Sequence, residues 1–148
     1  MNSLRAAFLI VILAAGTPAQ AEVTFKHITA DEAARAMASK ALGSPIADGP
    51  QFSMALRKRI EPGHVERHMG WDEELVIQEG DVLLNYGDTA SNARETAPGE
   101  FTGGGITGGK SVMLHAGDIV ILPAGLWHEQ VPKTPLMRYI LFKTRKPG

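Results

Sequence analysis

The sequence predicts an all-β domain, a sandwich or small barrel of short strands, with one short helix before it. After Pro50, apolar and polar residues alternate with the two-residue period of a strand. The alternating runs are short, and Gly and Pro turn signals separate them. A chain of 148 residues is long enough for one such domain.

The first 21 residues predict a secretory signal peptide. Arg5 gives a basic start, residues 6–16 form an apolar run, and Ala19-Gln20-Ala21 fits the small-x-small cleavage pattern. The apolar run is too short to cross a bilayer. We therefore expect cleavage after Ala21, a domain over residues 22–148, and a periplasmic or secreted protein.

The composition excludes several classes of site and partner. Lys and Arg number 15 against 16 Asp and Glu, so no basic stripe predicts a nucleic-acid partner. No second long apolar segment predicts a membrane contact once the signal is removed. The absence of cysteine excludes disulfides, thiolate nucleophiles and cysteine metal sites. We expect a small-molecule ligand as the partner, and we leave open a homodimer.

One helix is predicted over residues 31–42. Thr29 and Glu32 have the spacing of a capping box, and Gly43 is a stop signal. Small and apolar residues recur at helical intervals between them: Ala34, Met37, Ala38 and Ala41. We expect this helix to pack on the main body and to carry no chemistry.

The strands are predicted in order along the rest of the chain. The alternating or apolar runs lie at residues 52–57, 64–68, 73–78, 82–86, 111–115, 119–122 and 136–143. Residues 89–110, rich in Gly and Thr, are predicted to be a long connection, and long connections in compact domains are often functional.

One motif match is rejected. Residues 104–111 match the phosphate-binding pattern G-x-x-x-x-G-K-[ST]. That pattern requires a long helix directly after it, whose N-terminus faces the phosphates. Here four or five residues of extended pattern and a turn follow, so we interpret the segment as a Gly-rich hairpin loop.

Two stretches carry candidate metal ligands. His64, Glu66 and His68 alternate, so on a strand they share one face. Glu73 alternates with two aliphatic residues and should face the core with them, where a carboxylate needs a compensating cation or donors. A lone His128 follows a Pro-x-Gly turn far along the chain.

These residues resemble the two motifs of the cupin superfamily. Gly117, Pro123, Gly125 and His128 fit the second motif, G-x5-P-x-G-x2-H-x3-N, with Pro132 at the Asn position. In the first motif, G-x5-H-x-H-x3,4-E-x6-G, the pattern fits from His68 through Glu73 to Gly80, Gly63 is displaced, and Glu66 takes the place of the first histidine. The resemblance covers about residues 52–143 and implies a double-stranded β-helix, the jelly-roll barrel.

The resemblance also implies a divalent metal ion inside the barrel. Carried over by position, its ligands are Glu66, His68, Glu73 and His128. Two imidazoles and two carboxylates suit Fe(II), Mn(II), Zn(II) or Ni(II). His64 is an alternative to Glu66, but it lies about 13 Å along the strand from His68. We favour Glu66, which lies about 7 Å away by the same rise per residue.

The expected role is a metal-dependent enzyme, dioxygenase- or isomerase-like, on a small polar molecule, with catalytic residues unassigned. The alternatives are a non-catalytic module that binds a small ligand or metal, and a structural cupin in which Glu66 bonds Arg57 or Arg59 instead of a metal. The two arginines share a strand face, which we interpret as solvated rather than as a site for an anionic substrate.

Overall fold

The computed structural model describes Phe25, residues 27–38 and residues 45–146. One helix, α1, spans Ala30–Ala38. Thirteen strands follow in these residues: β1 Pro45–Asp48, β2 Phe52–Arg59, β3 Val65–His68, β4 Trp71–Glu79, β5 Val82–Gly87, β6 Thr89–Ser91, β7 Arg94–Ala97, β8 Glu100–Gly103, β9 Gly105–Thr107, β10 Lys110–Leu114, β11 Ile119–Leu122, β12 Trp127–Pro132 and β13 Met137–Arg145.

Two antiparallel sheets form the body of the protein. One has the strand order β1-β2-β13-β4-β11, and the other has the order β10-β5-β12-β3-β8-β7. Strands β6 and β9 form a separate two-stranded sheet. Neighbouring strands in a sheet come from distant parts of the chain, as in a jelly roll. The prediction of an all-β jelly-roll domain with one short N-terminal helix is confirmed.

The hydrophobic core lies between the two large sheets at one end of the barrel. Every second residue of a core strand points inward, so the predicted alternation of β4 is realised in the buried Leu75 and Ile77. Both sheets contribute to this cluster, whose other members are Val82, Leu84, Leu114, Leu122, Met137, Tyr139 and Leu141. The inward faces of the same strands turn polar toward the other end, where the candidate site lies.

The helix begins with the predicted capping box. The amide of Glu32 donates to Thr29 Oγ1 at 3.2 Å, and the amide of Thr29 donates to Glu32 Oε2 at 2.8 Å. Helix α1 lies against β2, with Met37 buried beneath it. The last four residues of the predicted helix and the whole predicted signal peptide lie outside the described residues.

The predicted runs agree with seven strands, β2 to β5, β10, β11 and β13. The prediction of a long connection over residues 89–110 is wrong, because β6 to β9 occupy most of it. The phosphate-loop match falls across β9 and β10, and no helix follows it in the described chain. Within the residues that the structure describes, no helix has the length and apolar character needed to span a membrane.

Candidate metal site

Three cross-strand pairs bring the candidate ligands together at the polar end of the barrel. Glu66 of β3 lies opposite His128 of β12, and His68 lies opposite Glu100 of β8. Glu73 of β4 lies opposite Lys143 of β13. Side chains at paired positions on one face stand about 5 Å apart, so the strand register places the two members of each pair within reach of each other. The third pair lies in the other large sheet, and the packing of the two sheets brings it to the first two.

The imidazoles and carboxylates meet in one buried group. Nε2 of His128 lies 3.2 Å from Glu73 Oε2 and 3.7 Å from Glu66 Oε1. Nε2 of His68 lies 3.3 Å from Glu73 Oε1, an oxygen that also accepts from Lys143 Nζ at 2.8 Å. One ligand atom each from Glu66, His68 and His128 lies within 4.8 Å of the others, which is close enough to share one metal ion.

The other nitrogen of each imidazole is already engaged. Nδ1 of His68 contacts the Glu100 carboxylate, and Nδ1 of His128 lies 3.2 Å from the carbonyl oxygen of Leu126. A carbonyl only accepts, so Nδ1 of His128 carries the proton and a neutral ring has a lone pair on Nε2. This buried Nε2 makes no hydrogen bond of good geometry, although two carboxylates lie near it. Such an arrangement fits a cation at that point, either a metal ion or a proton.

Electrostatics keep the carboxylates ionised. Burial favours a neutral Glu73, but its close contact with His128 and the charges of Lys143, His128 and His68 outweigh burial and lower its pKa to about 2. Burial also opposes the ionisation of Glu66. The contact with His128 outweighs burial, so the pKa of Glu66 is lowered as well. Burial disfavours a charged His128, yet Glu66 and Glu73 raise its pKa to about 9. With no metal bound, a proton therefore occupies His128 at neutral pH.

A turn fixes His128 against the strand that carries the other histidine. The amide of Gly125 donates to the carbonyl of His68 at 2.8 Å, and φ of Gly125 is 91°. The amide of Ala124 donates to Asp72 Oδ1 at 2.6 Å. The Pro-x-Gly turn predicted from the sequence therefore ties the start of β12 to β3 and β4, next to the candidate ligands.

Solved structures share this architecture. The protein BH2720 of Bacillus halodurans matches with a TM-score of 0.58 and 17% identity, covering 80% of this chain and 78% of that chain. NMB1881 of Neisseria meningitidis matches with a TM-score of 0.52 and 18% identity, and the match covers 76% of this chain and 95% of that chain. A cupin superfamily protein of Desulfitobacterium hafniense matches with a TM-score of 0.51 and 15% identity, and the match covers 71% of this chain and 77% of that chain. This chain has the cupin fold. No protein-family model matches the sequence, and no curated protein matches it either.

Within the cupin barrel, the four residues predicted as ligands do not occupy equivalent positions. Glu66, His68 and His128 form the mutually close group, whereas the Glu73 carboxylate lies between the two imidazoles and is held by Lys143. His64 is exposed just before β3 and lies outside the group. The structure therefore places Glu66, rather than His64, beside the histidines.

The interpretation of Arg57 and Arg59 as a solvated face is wrong. Both arginines line a cavity of about 180 Å³ inside the cupin barrel, together with Glu66, His68, Glu73, Gln130, Tyr139, Leu141 and Lys143. They alternate with the buried Ala55 on β2, so they point inward, while Met54 and Leu56 face the helix. Their shared strand face is interpreted as solvated from the sequence, but it lines this cavity.

Three further site residues are not predicted from the sequence. Glu100 engages His68, Lys143 engages Glu73, and Gln130 lies buried two residues after His128 on the same strand. The period of β13 could have indicated Lys143, because it shares the inward parity of Tyr139 and Leu141. Glu100 carries no such signal, since its strand lies in the segment that the sequence suggests is a loop.

Proposed function

We propose that this cupin-fold protein is exported and holds a divalent metal ion through Glu66, His68 and His128, with Glu73 as a fourth ligand. We further propose that it is a metal-dependent enzyme acting on a small polar molecule in the barrel cavity. The observation that carries the proposal is the orientation of two buried imidazoles whose Nε2 atoms converge on carboxylates while their Nδ1 atoms are engaged elsewhere. Ligating histidines have this arrangement, because the outer hydrogen bond fixes the tautomer.

The residues present fit Fe(II), Mn(II), Zn(II) or Ni(II). A bound metal would polarise a substrate oxygen or, if iron, support chemistry with dioxygen. Glu100 and the Leu126 carbonyl orient the two imidazoles, and Lys143 orients Glu73. With a pKa near 2, Glu73 is a weak base at neutral pH, so its role is charge and positioning rather than proton abstraction.

One observation favours a second candidate, a structural cupin without metal. Lys143 already neutralises Glu73 at 2.8 Å, and a protonated His128 balances Glu66. Buried charges that are balanced by other charges of the protein need no metal ion. An absorption spectrum of cobalt-loaded protein separates the candidates. If the spectrum shifts when azide is added, the bound ion has an open coordination position, which favours the enzyme. A spectrum unchanged by azide favours a closed binding site, and no cobalt uptake favours the structural cupin.

The proposal predicts a pH dependence of metal affinity. In metal-free protein the pKa of His128 is about 9, so at pH 7 the metal must displace a proton from Nε2. Apparent zinc affinity should therefore rise with pH, by up to about tenfold per unit below pH 9, and should level off above it. Calorimetric titrations at pH 6, 7 and 8 in buffers of different ionisation enthalpy measure both the affinity and the released proton. Equal affinity at all three values with no proton release would contradict the assignment of His128.

The proposal of export carries its own expectation. Protein recovered from the exported fraction should begin at Glu22, since cleavage is predicted after Ala21. Intact-mass spectrometry of that fraction measures the N-terminus directly. A species that retains the first 21 residues would show that the segment is not removed as a signal peptide.

A further inference from the structure

The cavity beside the candidate metal site is rich in positive charge. Arg57, Arg59 and Lys143 line it, against the carboxylates of Glu66 and Glu73. These five groups leave one excess positive charge, and a divalent metal ion would raise the excess to three. Glu100 approaches His68 from the far side and would offset only one of these charges. A partly enclosed space with this balance attracts an anion.

Two residues that line the cavity each have a buried polar atom without a partner in the protein. Gln130 is only 4% exposed and lines the cavity, yet its Oε1 makes no hydrogen bond. Nε of the half-buried Arg59 is also without a partner. A buried polar atom left unpaired is destabilising unless a ligand or water completes it. A ligand that completes these groups would offer a hydrogen-bond donor to Gln130 Oε1 and an acceptor to the Arg59 guanidinium.

The size of the space limits the ligand. A volume of about 180 Å³ corresponds to roughly six water molecules at about 30 Å³ each, and therefore to a molecule of a few heavy atoms. Leu141 and the ring of Tyr139 supply its apolar wall. The phenol of Tyr139 is itself held by Arg59, and burial raises its pKa, so it remains a neutral donor at physiological pH.

We propose that this cavity binds a small carboxylic acid that carries a hydroxyl group, with the carboxylate at Arg57 and Arg59 and the hydroxyl at Gln130. Guanidinium groups recognise carboxylates through paired, charge-assisted hydrogen bonds. The hydroxyl supplies the donor that Gln130 Oε1 lacks, whereas an ammonium group in that position would be repelled by the three cationic side chains. The inference rests on the function proposed above, because it names the substrate class of the same site.

Three small probes separate the two contacts. Lactate has both the carboxylate and the hydroxyl, propionate lacks the hydroxyl, and lactamide lacks the charge. Calorimetry with zinc-loaded protein should give the tightest binding for lactate. Propionate should bind roughly fivefold more weakly and lactamide at least about tenfold more weakly, as expected for loss of a neutral and a charged hydrogen bond. Equal binding of lactate and lactamide would overturn the proposal.

Two variants assign the contacts to residues. Arg59→Gln should weaken lactate binding by at least roughly tenfold, and Gln130→Leu should abolish the preference for lactate over propionate. Lys58→Gln is the matched control, because it removes a positive charge from the opposite face of the same strand, where Lys58 bonds the carbonyl of Ala38. It should leave lactate binding unchanged. If Gln130→Leu keeps the preference, the hydroxyl is held elsewhere and the assignment of Gln130 is wrong.

Metal content measured on the same samples keeps this inference distinct from the proposed metal site. If no sample takes up zinc while lactate binds in an Arg59-dependent manner, the anion site stands and the metal proposal fails. If zinc binds stoichiometrically while Arg59→Gln and wild-type protein bind lactate equally, the metal proposal stands and this inference fails. Thermal melting of each variant confirms that the comparison is between folded proteins.

Discussion

Replacing His128 with alanine is expected to weaken divalent metal binding by more than about 100-fold while the barrel remains folded. His128 contributes a buried Nε2 that converges with Glu66 and Glu73, and no nearby side chain in the described chain replaces it. Loss of a group that merely orients a ligand already costs 10- to 100-fold in affinity, so loss of a ligand should cost more. Zinc affinity by competition with a chromogenic chelator measures the effect.

The companion variants test which residues share this role. His68→Ala should behave like His128→Ala, because its Nε2 faces the same carboxylate. Glu66→His should keep or strengthen Fe(II) or Ni(II) binding, since imidazole suits both ions. His64→Ala is the matched control, as His64 is exposed and lies outside the group. Loss of metal in His64→Ala but not in Glu66→Ala would show that the ligand assignment on β3 is wrong.

Replacing Gly80 with alanine is expected to destabilise the fold by more than about 3 kcal/mol. Gly80 has a φ of 81°, and an added Cβ would lie 2.2 Å from the backbone oxygen of Leu136 and 2.5 Å from Thr134 Oγ1. The closing glycine of the first cupin-like motif is therefore required by backbone packing and not by the metal. Thermal or urea denaturation of the purified variant measures the change in free energy of unfolding.

Gly108→Ala is the control for this second prediction. Gly108 also has a positive φ, of 64°, but nothing lies within 4 Å of an added Cβ. The substitution should therefore cost only the strain of holding alanine in a left-handed conformation, about 1 kcal/mol of stability. Similar losses for both variants would show that the close contact between Gly80 and Leu136 does not decide stability.

The strands that the sequence predicts are those with one apolar face. Glu73, Leu75 and Ile77 on β4 are buried as their alternation predicts. Strand β12 is not predicted because its buried inward residues, His128 and Gln130, are polar and therefore do not alternate as a core strand does. The four strands within residues 89–107 contain three or four residues each, too few to show a period, and Gly and Thr fill many of their positions.

The site is predicted only as far as its motifs extend. Spacing along the chain is enough to indicate Glu66, His68, Glu73 and His128, because each lies on a strand or turn with a recognisable pattern. The partners Glu100, Lys143 and Gln130 are set by pairing between strands that are distant in sequence, such as Glu73 with Lys143. The inward position of Arg57 and Arg59 is similarly decided by which face of β2 the helix covers.

The most direct test of the metal proposal is the elemental composition of protein purified without chelators. The arrangement of Glu66, His68 and His128 predicts about one divalent ion per chain, of iron, manganese, zinc or nickel. The same stoichiometry should be regained when chelator-stripped protein is dialysed against any ion that fits the site. Protein that contains no metal as purified, and that takes up none of the four ions on dialysis, would contradict the metal site and the enzymatic function with it.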